Sequence, residues 1–157
     1  MYKRQILYND PVRQPEAEAE LGATWVSLDE LYARSDFISV NCALTESSRH
    51  MIGREAIAKM KNTAVIVVSA RGGIVDEAAL YEALTTGKLG AAGLDVFEEE
   101  PVDPKAPLLQ LENVALSPHL GTSVQETRVK MAVTAAEDVI RVLRDEAPAY
   151  PLFKLSA

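Results

Sequence analysis

The sequence contains a single cysteine, Cys42, so it can close no internal disulfide and build no cysteine-based metal site. Nothing therefore points to an oxidising compartment, and a cytoplasmic location is the expectation. Long apolar runs are missing too. The longest, such as Thr63 to Ala70, fall far short of the roughly 20 residues that a bilayer-spanning helix needs. The basic start Met1-Tyr2-Lys3-Arg4 leads only into Ile6-Leu7-Tyr8, too short for the apolar stretch of a signal peptide. Basic charge is scarce: 16 Lys and Arg stand against 23 Asp and Glu, a formal net charge of −7. No Lys/Arg run could follow a phosphate backbone, which argues against nucleic acid and against an anionic membrane surface as partners. Repeats and low-complexity segments are also lacking, and 157 residues suit one domain with a real core.

What is present is an alternation of apolar strands and amphipathic helices. Gln5 to Asn9 predicts a strand that stops at Asp10-Pro11, because proline cannot continue a ladder and restricts the residue before it. Pro15 to Leu21 predicts a short helix closed by Gly22, and Thr24 to Val26 a brief extended piece. Ser27-Leu28-Asp29-Glu30 fits a capping box opening a helix to about Arg34. A strand over 36–41, a helix over 54–60 and a strand over 63–69 follow, the last an AVIVV run of the kind buried on both faces of a parallel sheet. Then come a helix over 76–85 ending at Gly87, a strand over 89–97 and a short strand over 113–116. The long final helix is opened by a second capping box at Ser123 and Glu126.

This alternation implies βαβ units and an α/β fold with a mostly parallel sheet. Ligands of such sheets bind beyond the carboxyl ends of the strands. Between Gly93 and Gly121 the spacing puts Asp95, Glu100 and His119 at or just beyond the ends of two successive strands. By themselves Glu98, Glu99 and Glu100 would read as one solvated acidic turn. His50, with no motif around it, reads as a loop residue, and Cys42 as core packing.

The strings VVSARGGIVDEAAL, GLDVFEEEP and SPHLGTSVQETR carry Arg71, Asp95, Glu100 and His119 in an order and spacing that chance seldom gives. They resemble the signature regions of the D-isomer-specific 2-hydroxyacid dehydrogenases, a family that includes phosphoglycerate dehydrogenases and glyoxylate/hydroxypyruvate reductases. The resemblance runs from about Ile6 to Asp145. It implies a Rossmann-like parallel sheet with flanking helices and hydride transfer between NAD and a small 2-oxo or 2-hydroxy acid. It implies His119 as the acid/base, since an imidazole titrates near working pH. Glu100 would be the carboxylate that orients that ring, and Arg71 the cation whose planar fork holds the substrate carboxylate. On the cofactor side it implies Asp95, Cys42, Ser69, Ala70 and Gly121, with Arg71 and His119 serving both. Asp10, at the end of the first strand, resembles the acidic residue that binds the adenosine ribose and repels a 2′-phosphate, so NAD is favoured over NADP, although Arg13 lies close by. A homodimer is implied for a complete member.

Three positions depart from the common pattern or discriminate within it. Val68 stands where many relatives have Asn and Ala43 where they often have Pro, which leaves the subfamily open. Glu100 stands where the formate dehydrogenases of the superfamily have glutamine, which favours 2-hydroxyacid chemistry. The resemblance also exposes an absence. A G-x-G-x-x-G loop is expected about twenty residues before the acidic residue, whereas nine residues precede Asp10. Gly87, Gly90 and Gly93 have a superficially similar spacing but sit between a helix and a strand, the wrong polarity for a pyrophosphate. The expectation is a NAD-binding domain over 1–145 that lacks its first strand and glycine-rich loop, and a tail over 146–157 that packs on a substrate domain. Met1 to Arg4 do not fit the expected strand entrance. A noncatalytic binding module of the same fold, like the corepressors that share it, is the alternative, favoured by the missing loop and opposed by the intact Arg71, Glu100 and His119. The 157-residue chain is expected to bind NAD more weakly than micromolar, because the backbone amides that grip a pyrophosphate are missing from it; isothermal titration calorimetry of the purified chain checks this, and micromolar binding contradicts it.

Overall fold

Local chemistry sets the first boundaries. In the computed structural model, which describes residues 5–151, β1 (Ile6–Tyr8) ends ahead of Asp10-Pro11 and α1 (Pro15–Leu21) begins on proline. Proline suits that position because its missing N–H would have had no intrahelical partner. Gly22 closes the helix at φ 64°, the left-handed region that a side chain disfavours. After β2 (Ala23–Trp25), Ser27 caps α2 (Leu28–Arg34) by accepting the Glu30 N–H at 3.2 Å. The expected reciprocal half of that box is not made, since the Glu30 carboxylate pairs with Arg34 one turn on.

The remaining elements are β3 (Phe37–Val40), α3 (Arg54–Lys59), β4 (Val65–Val68), α4 (Glu77–Thr85), β5 (Ala91–Leu94), β6 (Val114–Leu116) and α5 (Gln125–Leu143), with a 3-10 turn at Pro107–Gln110 before β6. They fall into two compact units, Met1–His119 and Leu120–Ala157. Every strand pairing in the first unit is parallel. The strands form two sheets, β1-β2 and β3-β4-β5-β6. Parallel sheets flanked by helices agree with the Rossmann-like expectation.

The four-stranded sheet buries Ile38 and Val40, Ile66 and Val68, Ala92 and Leu94, and these join Ile57, Leu80, Leu84 and Leu89 in one core. The opposite parity is different. Val67 is 42% exposed against 0% for Ile66, so the AVIVV run is not buried on both faces as its composition suggested. β5 is also shorter than the predicted span, because the chain turns at Asp95.

In the second unit α5 begins one residue later than the second capping box requires. Val124 takes the N-cap position and makes no side-chain cap, while Ser123 Oγ accepts from Arg128 at 2.9 Å. None of the side chains of α5 is buried. Asp138 accepts the N–H groups of Ala149 and Tyr150 at 2.8 and 3.0 Å, which ties the start of the tail to α5. The rest of the expected tail, Leu152 to Ala157, and Met1 to Arg4 lie outside the described residues.

Ile66 has no exposed surface. Truncation there should cost about 2–5 kcal/mol of unfolding free energy for Ile66→Ala and about 0.5–1.5 kcal/mol for Ile66→Val, through lost transfer energy and the cavity left behind; urea denaturation followed by circular dichroism measures both.

Candidate functional site

Because β3, β4, β5 and β6 run parallel in that order, the residues that follow them emerge along one rim. Asn41 and Cys42 follow β3, Ser69 to Arg71 follow β4, Asp95 follows β5, and Ser117 to His119 follow β6. An open cavity of about 700 Å³ lies at the ends of β3 and β4, lined by Asn41, Cys42, Ala43, Leu44, Ser69, Ala70 and Arg71. That volume is in the range of small-molecule sites. Cys42 is exposed there, which corrects its reading as core packing.

His119 is fixed from two directions. Its N–H donates to the Asp95 carbonyl at 2.9 Å, and its backbone is left-handed at φ 55°. Its Nδ1 lies 2.7 Å from Glu100 Oε2. A carboxylate there makes Nδ1 the protonated nitrogen and leaves Nε2 as the one that can exchange a proton. The second oxygen of Glu100 accepts the Phe97 N–H at 3.0 Å, so the carboxylate is anchored by its own turn. The bond to His119, then the Phe97 N–H, hold the Glu100 carboxyl below the usual glutamate range, with lesser help from the charges of His119 and Arg71.

Asp95 Oδ1 accepts from Ser117 Oγ at 2.5 Å, a partner that sequence reading missed. The signal was a serine two residues ahead of the histidine, in the same string. The Arg71 guanidinium is exposed and donates to the Ala70 carbonyl at 2.7 Å. Thus Cys42, Ser69, Ala70, Arg71, Asp95, Glu100 and His119 share the carboxyl rim of one sheet.

Asp10 stands apart at the end of β1, in the other sheet of the same unit. Its Oδ1 accepts the Val12 N–H at 2.8 Å, and the Trp25 indole donates to its carbonyl at 3.0 Å. Arg13 makes two bonds to Glu18, at 3.0 and 2.6 Å, and Tyr8 OH donates to the same carboxylate at 2.5 Å. Gly121 belongs to the second unit, two residues past His119. Among the described residues no group of three or more His, Cys, Asp or Glu side chains could hold a metal ion, and no helix is long and apolar enough to cross a membrane.

Comparison with known proteins shows the family. The family model described as D-isomer specific 2-hydroxyacid dehydrogenase, NAD binding domain, matches residues 2–121. A glyoxylate reductase from Korarchaeum cryptofilum is 49% identical over 144 residues, covering 92% of this chain and 43% of that protein. The crystal structure of a glyoxylate reductase from Paecilomyes thermophila superposes with a TM-score of 0.79 at 43% identity, over 87% of this chain and 41% of that one. D-lactate dehydrogenase with NAD+ from Lactobacillus jensenii superposes with a TM-score of 0.85 at 30% identity, over 96% and 48%. The chain thus spans less than half the length of these relatives.

The depressed carboxyl of Glu100 has a testable sign. A folded-state value below the unfolded one contributes stability that is present above the unfolded-state pKa and lost as pH falls through the folded-state pKa. His119→Ala removes the largest cause. Carbon-detected NMR titration should place the Glu100 midpoint below the usual glutamate range in the natural chain and higher in His119→Ala; equal midpoints would contradict the pairing.

Proposed function

Because the chain belongs to the D-isomer-specific 2-hydroxyacid dehydrogenases, through their NAD-binding domain, we propose that it supplies the catalytic rim of an enzyme that interconverts a small 2-oxo acid and its 2-hydroxy acid. The observation that carries this reading is the 2.7 Å Nδ1–Oε2 pair of His119 and Glu100, with Arg71 near enough to lower the Glu100 pKa. A noncatalytic module has no need of that arrangement.

The residues present fit the nicotinamide and ribose portions of NAD. The cavity beside Arg71 offers room at the strand ends. Asp10 spends Oδ1 on its own turn, which leaves Oδ2 for ribose hydroxyls. Arg13, a cation that could meet a 2′-phosphate, is engaged by Glu18, which supports NAD over NADP. When bound, NAD(H) would supply or take the hydride at the 2-carbon. Arg71 holds the substrate carboxylate through its planar fork and draws electron density from the neighbouring carbonyl. His119 donates a proton from Nε2 to the 2-oxygen in the reducing direction and takes it back in the other. Glu100 holds the ring in the required tautomer. Asp95 is assigned to the nicotinamide amide, and Cys42, Ser69, Ala70 and Gly121 to the path of the cofactor.

Glyoxylate and hydroxypyruvate are the first substrates to test, because relatives of high identity carry those names. Residues 1–145 are assigned to the cofactor domain, and 146–157 to contact with a substrate domain. A homodimer of the complete protein follows by analogy with the family, and a cytoplasmic location is supported by the single cysteine.

An assay of NADH oxidation with glyoxylate and hydroxypyruvate, on the complete protein, tests the reading. His119→Asn should lower kcat on the order of 10²–10⁴-fold, the usual worth of a positioned acid/base. Arg71→Lys should act mainly by raising KM, since it keeps the charge and loses the fork. Natural-level turnover by His119→Asn would overturn the assignment.

A further inference from the structure

Three loops leave the carboxyl ends of β3, β4 and β5, and beyond the Glu100–His119 pair they are bound together by side chains with no role in the chemistry above. Glu77, the first residue of α4, and Glu98, in the acidic turn, exchange bonds. The Glu77 N–H donates to Glu98 Oε1 at 3.0 Å, and the Glu98 N–H donates to Glu77 Oε1 at 2.6 Å. His50 Nε2 stands 3.2 Å from the same Glu98 oxygen, and the His50 N–H donates to the Gly73 carbonyl at 2.8 Å. Between these contacts Gly72 lies so close to Phe97 that a Cβ would fall 1.8 Å from the Phe97 carbonyl oxygen. The loop that bears Arg71 and the turn that bears Glu100 therefore touch backbone to backbone.

Helix capping explains only one half of the exchange, the Glu77 N–H at the start of α4. Asp76 already caps α4, accepting the Ala79 N–H at 2.9 Å, and Glu98 comes from another loop. Nor is the arrangement that of a solvated acidic face. Glu77 is half-buried, and burial first, with the nearby Glu98 charge adding to it, raises its carboxyl above the usual range against the opposing Glu98 N–H. Two like charges are kept together because each accepts an amide of the other's backbone, and charge-assisted bonds of this kind are stronger than neutral ones. What they fix is the separation of the two segments: Glu77 closes the loop that carries Arg71 and makes the Gly72–Phe97 approach, and Glu100 lies two residues past Glu98.

We propose that Glu77 and Glu98, with His50 as an outer support, are positioning residues whose reciprocal carboxylate-to-amide bonds hold the Arg71 loop and the Glu100 turn at one separation. The inference rests on the roles given to Arg71, Glu100 and His119 in the proposed function. Its importance there is geometric, since a displacement of about 1 Å at a catalytic group can cost on the order of 100-fold in rate.

The test uses the 157-residue chain, without cofactor or substrate, so a failure of the dehydrogenase reading and a failure of this one remain distinguishable. The Glu100 carboxyl, which faces His119, the Phe97 N–H and Arg71, is titrated by carbon-detected NMR in Glu98→Ala and Glu98→Gln. Both variants lose the same charge, and only glutamine keeps an oxygen that can accept the Glu77 N–H. The expected result is a Glu100 midpoint higher in Glu98→Ala than in Glu98→Gln, as the turn slips and the bonds from Phe97 and His119 loosen. Equal midpoints in two folded variants would sink the proposal, because a purely global loss of stability leaves the folded titration where it was. Where Glu98→Ala does not fold, Glu77→Ala against Glu77→Gln makes the same comparison from the other end, with the same expected order. Unfolding of both alanine variants would also overturn it, since the pair would then be holding the fold together rather than setting a distance.

Discussion

The site depends first on the parallel registration of four short strands. Val40, Val68, Leu94 and Leu116 are consecutive partners across β3, β4, β5 and β6. The residue after each one leaves the sheet at the same rim, so Asn41, Ser69, Asp95 and Ser117 form a row from which the loops depart. The register is pinned by packing. Ile66, Val68, Ala92 and Leu94 are 4% exposed or less, and a slip of one residue would turn their whole set to the opposite face. Arg71, Glu100 and His119 come together only because three separate segments leave from that common line.

Backbone contacts then narrow what the side chains can do. The His119 amide is held by Asp95 and the imidazole by Glu100, so the ring is defined at both ends. Glu100 divides its two oxygens between the Phe97 amide and the imidazole. A carboxylate free to rotate would offer either oxygen to the ring and lose orientation in doing so. The balance of charge matters as much. In a chain of net charge −7, the anionic substrate proposed above would need a local cation, and Arg71 is the residue assigned to it.

Short-range chemistry was legible in the sequence, and its limit was range. Pro15 and Gly22 gave both ends of α1 because each acts through its own dihedral angle. Ser27 was recognisable as a cap for the same reason. Ser123 looked identical on paper, but Arg128 draws its hydroxyl and Val124 takes the cap position. The AVIVV run announced a strand without saying what covers its second face, which is a question about other segments, and Val67 is exposed. Cys42 resembled a core residue by type and lies on the cavity rim instead. The four residues assigned to the chemistry stood out because a family pattern carries their spacing. His50 and Glu77 had no such pattern, and their contacts to Glu98 cross 48 and 21 positions of the sequence.

The acidic turn shows why residue type alone could not separate chemistry from support. Glu98 and Glu100 each accept one backbone N–H, and each contacts one histidine whose backbone is left-handed, His50 at φ 50° and His119 at φ 55°. The difference is which nitrogen is used. Glu98 takes Nε2 of His50, the outer nitrogen, so that ring is committed to holding the loop. Glu100 takes Nδ1 of His119 and leaves Nε2 outermost, where a proton can pass to a bound molecule. Both partners of Glu98 converge on a single oxygen, as suits a knot between loops, whereas those of Glu100 occupy different oxygens, as suits an oriented pair. A histidine–glutamate contact therefore assigns no function by itself. In this turn the ring nitrogen left over, and the charge of Arg71 acting on the Glu100 carboxylate, distinguish the proposed acid/base from its support.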